Sequence, residues 1–214
     1  MPALDSLINA FITLFVIVDP IGNAPLFLGL TVGMSTAVRR SIAIRGSFIS
    51  FVILALFALT GTKILDTIGI TIDAFRIAGG ILLFVTAFEM IYGQRQERRE
   101  EATSAAAAEQ AANIAVFPLA IPLIAGPGSI SATILLSSQL ASSSTGHNWY
   151  GAFSLVGVIA VLMFMTAGVL IAAELVDKFI GNTAKLVLTR LLGVLLAALA
   201  VQYIADGVLA FTAQ

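Results

Sequence analysis

The chain has 214 residues, of which 59% are apolar and only 11% are charged, and its mean hydropathy is +1.03. A soluble domain would carry about 25% charged residues, so this composition indicates an integral membrane protein. The absence of cysteine excludes disulfides, thiolate metal sites and a cysteine nucleophile, and the net charge of −1 excludes a large nucleic-acid-binding surface.

The first apolar run contains an isolated charge beside a cluster of helix-breaking residues. Asp19 is the only ionised side chain between Asp5 and Arg39, and the residues PIGNAP, from Pro20 to Pro25, follow it. As one straight helix, residues 7–34 would be about 42 Å long, well beyond the roughly 30 Å of a bilayer core. Because proline removes a backbone donor, we expect the helix to break beside the carboxylate. A charge and a broken helix at membrane depth usually mark a transport pathway.

Five further apolar runs have the length of a membrane span. Together with 7–34, they predict spans over residues 42–62, 74–92, 114–140, 149–173 and 186–210. The only clearly aqueous stretch is 94–113, which is rich in Arg, Glu and Ala. We therefore predict an all-α membrane protein with six transmembrane helices: a first three-span repeat over 1–93, a charged cytoplasmic loop over 94–113, and a second repeat over 114–214.

The basic residues predict the orientation of these spans. If the N-terminus lies outside, nine of the eleven Lys and Arg residues fall inside, and only Lys63 and Arg76 stay outside. This bias follows the positive-inside rule, so both termini are predicted to face out.

The two halves share a proline pattern. Pro20-x4-Pro25 is mirrored by Pro122-x4-Pro127, and each pair lies inside an apolar run too long for one straight span. Three spans per half is an odd number, so the second copy must be inverted in the membrane. Inverted repeats with discontinuous helices, here 1 and 4, are typical of secondary transporters, whose site lies at the breaks.

The residues around the two breaks are the candidate binding site. Because proline is favoured at the first position of a helix, Pro25 and Pro127 are interpreted as the starts of second half-helices. The free N–H groups of such a start suit a carboxylate. The candidate substrate-binding residues are Asp19, Gly22, Asn23, Ala24, Ala125, Gly126, Gly128 and Ser129.

These residues have distinct expected roles. Asp19 lies near the C-terminal end of the first half-helix, where the dipole disfavours an anion, so it should attract a substrate ammonium, Na⁺ or a proton. Asn23 can cap its half-helix or accept from a ligand ammonium. Gly126 and Gly128 leave room for a small ligand, and the Ser129 hydroxyl can donate or accept. A small zwitterionic amino acid fits this description, and no catalytic residue or cofactor is expected.

The same residues also allow other structural and functional interpretations. The proline kinks can be purely structural, Gly29-x3-Gly33 favours helix packing, and Asp206 favours pairing near a span end. An intramembrane hydrolase is disfavoured, because Ser129 has no His or Lys partner within a span. A channel and a non-transporting or regulatory membrane protein are not excluded.

The two broken segments closely resemble the MarC family of bacterial inner-membrane proteins, which includes the SnatA-type small neutral amino-acid transporters. The matching stretches are DPIGNAPLFL from Asp19 and PLAIPLIAGPGSI from Pro118. The resemblance covers essentially the whole chain. It implies cation-coupled transport (H⁺ or Na⁺) of glycine, alanine and similar amino acids across the inner membrane by a multi-pass protein. Both termini are then periplasmic, and the implied site is Asp19 to Pro25 and Ala125 to Ser129. Export of another small metabolite or drug is the alternative.

Overall fold

The computed structural model describes residues 4–93, 114–142, 148–175 and 181–212, and every regular element in these ranges is helical. The predicted loop 94–113 lies outside the described residues. In chain order the helices are α1 (Leu4–Val18), α2 (Pro20–Leu30), α3 (Thr36–Ile68), α4 (Ile72–Tyr92), α5 (Ala115–Ile124), α6 (Pro127–Ser142), α7 (Asn148–Ile171) and α8 (Asn182–Thr212).

The number of helices that can cross a membrane agrees with the sequence. The described residues contain five candidate spans, with Leu4–Leu30 counted as one, or six when α5 and α6 form a single bent span. The all-α class and a multi-pass membrane protein with five or six spans are therefore confirmed. The orientation of the chain and the predicted division into inverted repeats stay predictions.

The first span and α6 form the interior of the bundle. In its most apolar window, 67% of Leu4–Leu30 is buried, against 22–33% in the other four unbent spans. Residues 131–137 of α6 are buried without interruption. The other long helices expose large apolar side chains, among them Phe48, Val85, Phe164 and Leu209. This arrangement suits a membrane, because irregular backbone at membrane depth must be covered by protein while apolar outer faces meet lipid.

Helices α4 and α8 pack closely through glycines. The contacts pair a glycine of one helix with a backbone carbonyl of the other: Gly80 with Ala200, Gly193 with Ala87, and Gly207 with Asp73. Positions 73, 80 and 87 of α4 therefore face positions 207, 200 and 193 of α8, so the helices run antiparallel with contacts every seven residues. Small residues let two backbones approach in this way, which is the common mode of helix association in membranes.

Helix α3 begins earlier than the predicted span. The prediction started it at residue 42, but the helix begins at Thr36, where the Ser35 hydroxyl accepts a hydrogen bond from Val38 N at 3.4 Å. The predicted span followed the apolar run and left out the basic residues Arg39 and Arg40, yet a helix can extend into water beyond the membrane. The side chain of Arg39 forms an ion pair with Glu174, just after α7.

The packing interpretation of Gly29-x3-Gly33 is wrong within the described residues. A Cβ at either glycine would have no atom within 4 Å. Gly33 instead has a φ of +76° in the turn that follows α2, a conformation that glycine adopts without steric cost.

Candidate functional site

Asp19 sits between α1 and α2 in a left-handed backbone conformation. Its φ and ψ are 52° and 65°. Among the described residues other than glycine, Asp19 is the one with a positive φ. Aspartate and asparagine tolerate this region better than other L-residues. The side chain is only 4% exposed, and one carboxylate oxygen accepts a hydrogen bond from Gly22 N at 3.0 Å. Asp19 therefore caps the start of α2.

This capping corrects the predicted electrostatics of Asp19. The sequence argument considered only the C-terminal end of the first half-helix, whose dipole disfavours an anion. The structure places the carboxylate at the N-terminus of α2 as well, where the dipole favours a negative charge. The helix dipole alone therefore gives no reason for Asp19 to attract a cation. The remaining reason is burial, which removes the carboxylate from water and favours a positive partner.

The second half-helix of the first span begins at Pro20, so its predicted start at Pro25 is wrong. Both prolines can occupy the first turn of a helix, but the cap at Asp19 selects Pro20. Pro25 lies inside α2, between the buried residues Ala24 and Leu26. Gly22 also has a structural role, because a Cβ there would lie 2.1 Å from Oδ2 of Asp19.

Asn23 connects the two sides of the first break. Its Nδ2 donates to the carbonyl of Val18 at 2.8 Å, an acceptor at the end of α1. This contact fixes the orientation of the amide, because a carbonyl can only accept. Oδ1 therefore points the other way, and it is buried with no hydrogen-bond partner among the described residues. A buried acceptor without a partner is costly, so this atom indicates a place for a donor.

The second break lies between α5 and α6. Helix α5 is irregular: Leu119 and Ala125 donate to carbonyls five residues earlier, and Phe117 and Ile121 have extended φ and ψ. The peptide bonds before Pro118 and Pro122 are cis. The axes of α5 and α6 meet at 59°, and α6 begins at Pro127, as the sequence predicted.

The start of α6 presents backbone donors. Ile130 N donates to the carbonyl of Gly126 at 3.0 Å, which closes the first turn. The N–H groups of Gly128 and Ser129 precede that turn and have no acceptor within the helix. The Ser129 hydroxyl, predicted to contact the ligand, lies 2.9 Å from the carbonyls of both Ile124 and Gly126. The hydroxyl proton is therefore donated to backbone carbonyls of the break. The Ser129 oxygen can only accept a hydrogen bond from a ligand.

The two predicted glycines at this break differ in what surrounds them. A Cβ at Gly126 would lie 2.6 Å from the backbone oxygen of Pro122, so the turn itself requires glycine there. A Cβ at Gly128 would lie 3.3 Å from Thr86 Oγ1 and 3.7 Å from a methyl group of Ile17. Of these two glycines, only Gly128 therefore faces side chains of other helices, Thr86 of α4 and Ile17 of α1.

The structure brings the two breaks together. Ile17, two residues before Asp19, faces Gly128 at the start of α6. Helix α1 packs on α6, and α2 packs on α5. Residues from both breaks share one buried cluster, which includes Val18, Ala24 and Ala125. The predicted site residues therefore lie on two neighbouring segments in the interior of the bundle.

Sequence reasoning missed a cavity of about 470 Å³ between α1, α6 and α8. Six polar side chains line it: Asn9, Thr13, Gln139, Gln202, Tyr203 and Asp206. The spacing of the last three along α8 places them on one face of that helix, and this periodicity could have revealed them. The pairing predicted for Asp206 is present, since Gln202 Nε2 donates to its carboxylate at 2.7 Å.

Known proteins match the chain over nearly its full length. A family model described as MarC family integral membrane protein matches residues 4–212. A UPF0056 membrane protein of Archaeoglobus fulgidus is 37% identical over 200 residues, covering 92% of this chain and 90% of the relative. UPF0056 membrane protein YvbG of Bacillus subtilis is 36% identical over 207 residues (94% and 93%). YhcE of Escherichia coli is 34% identical over 198 residues (92% and 89%). No solved structure matches.

Proposed function

The chain belongs to the MarC family of integral membrane proteins, and from this membership and the two breaks we propose that it is a secondary transporter of small neutral amino acids. The substrates are of the glycine and alanine class, and transport is coupled to H⁺ or Na⁺ by alternating access across the bacterial inner membrane. Six spans form two inverted repeats, and the first and fourth helices are discontinuous.

One observation carries the proposal: an unpartnered acceptor, Asn23 Oδ1, is buried one helical turn after the buried carboxylate of Asp19. Removing a charge from water is expensive, and ionisable groups in membrane spans usually mark a substrate or ion pathway. An ammonium group supplies both a donor for Oδ1 and a positive charge for the carboxylate. The N–H groups at the start of α6 suit the carboxylate of the same zwitterion.

The coupling ion has suitable oxygen ligands at the first break. Pro20 has no N–H, so it cannot donate to the carbonyl of Val16, four residues earlier. Unwound carbonyls and the C-terminal ends of half-helices are the groups that coordinate Na⁺ in transporters of this plan. Protonation of the Asp19 carboxylate is the second means of coupling.

The packing of α4 against α8 supports the inverted repeat. These helices are the third span of each predicted half, and their contacts repeat at equal steps in opposite directions. A two-fold axis in the membrane plane makes equivalent helices antiparallel and their contact self-complementary.

The alternatives are a non-transporting or regulatory membrane protein and an exporter of another small metabolite or drug. Neither requires an acceptor for an ammonium group at the break. Hydrolysis is disfavoured, because the Ser129 proton is held on backbone carbonyls. We therefore propose no enzymatic activity.

Uptake of radiolabelled glycine into proteoliposomes tests the function. We expect accumulation when either a Na⁺ or a proton gradient is imposed, with competition by alanine and none by phenylalanine. Protein-free liposomes are the control. If no small amino acid accumulates under either gradient, the non-transporting reading is correct.

Reporter fusions test the proposed topology. The distribution of Lys and Arg predicts periplasmic termini and a cytoplasmic 94–113 loop. A reporter that is active only in the cytoplasm should function when inserted near residue 100 and fail when fused after Gln214. The opposite pattern would invert the orientation.

A further inference from the structure

The lining of the cavity between α1, α6 and α8 includes both polar and apolar side chains. Along α1 the polar lining residue Asn9 precedes the apolar Val16, and along α8 the apolar Leu196 precedes the acidic Asp206. Val16 and Leu196 are buried, whereas Leu195, which also lines the cavity, is 63% exposed. We call the part of the cavity lined by Asn9 and Asp206 its polar mouth, and the part lined by Val16 and Leu196 its apolar floor.

The floor lies next to the two breaks. Val16 lines the cavity, and the adjacent Ile17 faces Gly128 at the start of α6. On α6, Leu136 lies about two helical turns beyond Ser129. The residue of α1 that lines the floor is therefore adjacent in sequence to the residue that contacts the candidate site.

The polar lining argues for water rather than lipid in the cavity. Amide, hydroxyl and carboxylate groups are costly in hydrocarbon, and in spans they face protein or water. The groups at the mouth form connected pairs: Gln202 donates to Asp206 at 2.7 Å, and the side chain of Gln139 is hydrogen-bonded to Tyr203. Asp206 is the carboxylate of this lining.

We propose that this cavity is the aqueous vestibule through which a zwitterionic substrate reaches the breaks, and that Asp206 receives its ammonium group at the mouth. This inference rests on the proposed transport function. It assigns Asp206, Gln202 and Tyr203 to substrate recognition, in addition to the residues at the breaks.

The absence of cysteine makes the vestibule directly testable, since single cysteines can be introduced without background. Gln202→Cys and Val201→Cys are a matched pair: both residues are exposed neighbours on α8, but Gln202 lines the cavity and Val201 does not. A membrane-impermeant maleimide is added to right-side-out and to inside-out membrane vesicles. Thiols react as thiolates, which need water. Gln202→Cys should therefore react at least tenfold faster than Val201→Cys, and it should do so in only one of the two vesicle orientations.

Substrate protection and kinetics test the pathway. Saturating glycine should slow the labelling of Thr13→Cys, near the floor, severalfold. Asp206→Asn should raise KM for glycine about fivefold with little change in kcat, because an ammonium group loses its charged partner. Asp66→Asn, an exposed carboxylate at the end of α3, should leave both constants unchanged.

The outcomes separate this inference from the proposed function. Equal, slow labelling of both α8 cysteines would show a lipid-filled groove and overturn the vestibule. Rapid labelling without glycine protection, in a protein that accumulates glycine, would place the cavity off the pathway. Rapid labelling in a protein that transports nothing would overturn the transport function instead, leaving the aqueous cavity in place.

Discussion

Replacing Asp19 by asparagine is expected to abolish gradient-driven accumulation of glycine while the protein still folds and inserts. Asparagine has the same shape, tolerates the left-handed backbone at this position, and can still accept from Gly22 N through Oδ1. The substitution therefore removes the buried charge and leaves the cap of α2 in place. Uptake into proteoliposomes under separate Na⁺ and proton gradients measures the effect, and the yield of monodisperse protein reports folding.

Asp19→Ala is the matched variant that removes the cap as well. Losing a helix cap costs about 1 kcal/mol, and placing alanine in the left-handed region costs roughly a further 1–2 kcal/mol. We expect this variant to lose accumulation and to unfold at a lower temperature, whereas Asp19→Asn should unfold near the parent temperature. Near-normal accumulation by Asp19→Asn would place the cation site elsewhere, for example at the Thr13 hydroxyl.

The sequence predicts the all-helical class and the number of candidate spans well, for a physical reason. Hydrophobic length fixes a span, so the predicted run 74–92 corresponds to α4 over Ile72–Tyr92. Proline and an isolated charge are equally local signals: α6 begins at the predicted Pro127, but α2 begins at Pro20 and not at the predicted Pro25. Boundaries in water were less predictable, because no hydrophobic signal marks the end of a helix such as α3 beyond the membrane.

The details of each break could not be predicted, because they depend on contacts between residues. Pro20 and Pro25 both fit the first turn of a helix, and only the hydrogen bond from Gly22 N to Asp19 decides between them. The two breaks also differ, since α2 begins at the first proline of its pair and α6 at the second. The vestibule depends on three helices that are distant in sequence, and no single segment of the chain contains its pattern.

Replacing Gly128 by valine is expected to abolish glycine binding. A Cβ at this position meets Thr86 Oγ1 at 3.3 Å, a side-chain atom that can move slightly, so alanine is tolerated. The two additional methyl groups of valine would extend toward Ile17 and Leu83, which lie 3.7 and 3.8 Å from that Cβ. In the proposed site they would occupy the position of the ligand carboxylate at the N–H groups of Gly128 and Ser129. Calorimetric titration of glycine into the purified variants measures the loss.

Three further variants make this result specific to the ligand site. Ser129→Ala removes one hydrogen bond at the break and should weaken binding by about 1 kcal/mol, roughly fivefold. Gly126→Ala should lower the yield of folded protein, because its Cβ would lie 2.6 Å from the Pro122 carbonyl oxygen. Gly29→Ala, with no atom within 4 Å, should bind glycine like the parent protein. If Gly128→Val binds normally and Gly29→Ala does not, the ligand site is not at the broken helices, because the only variant that fills the space between α1, α4 and α6 would have had no effect.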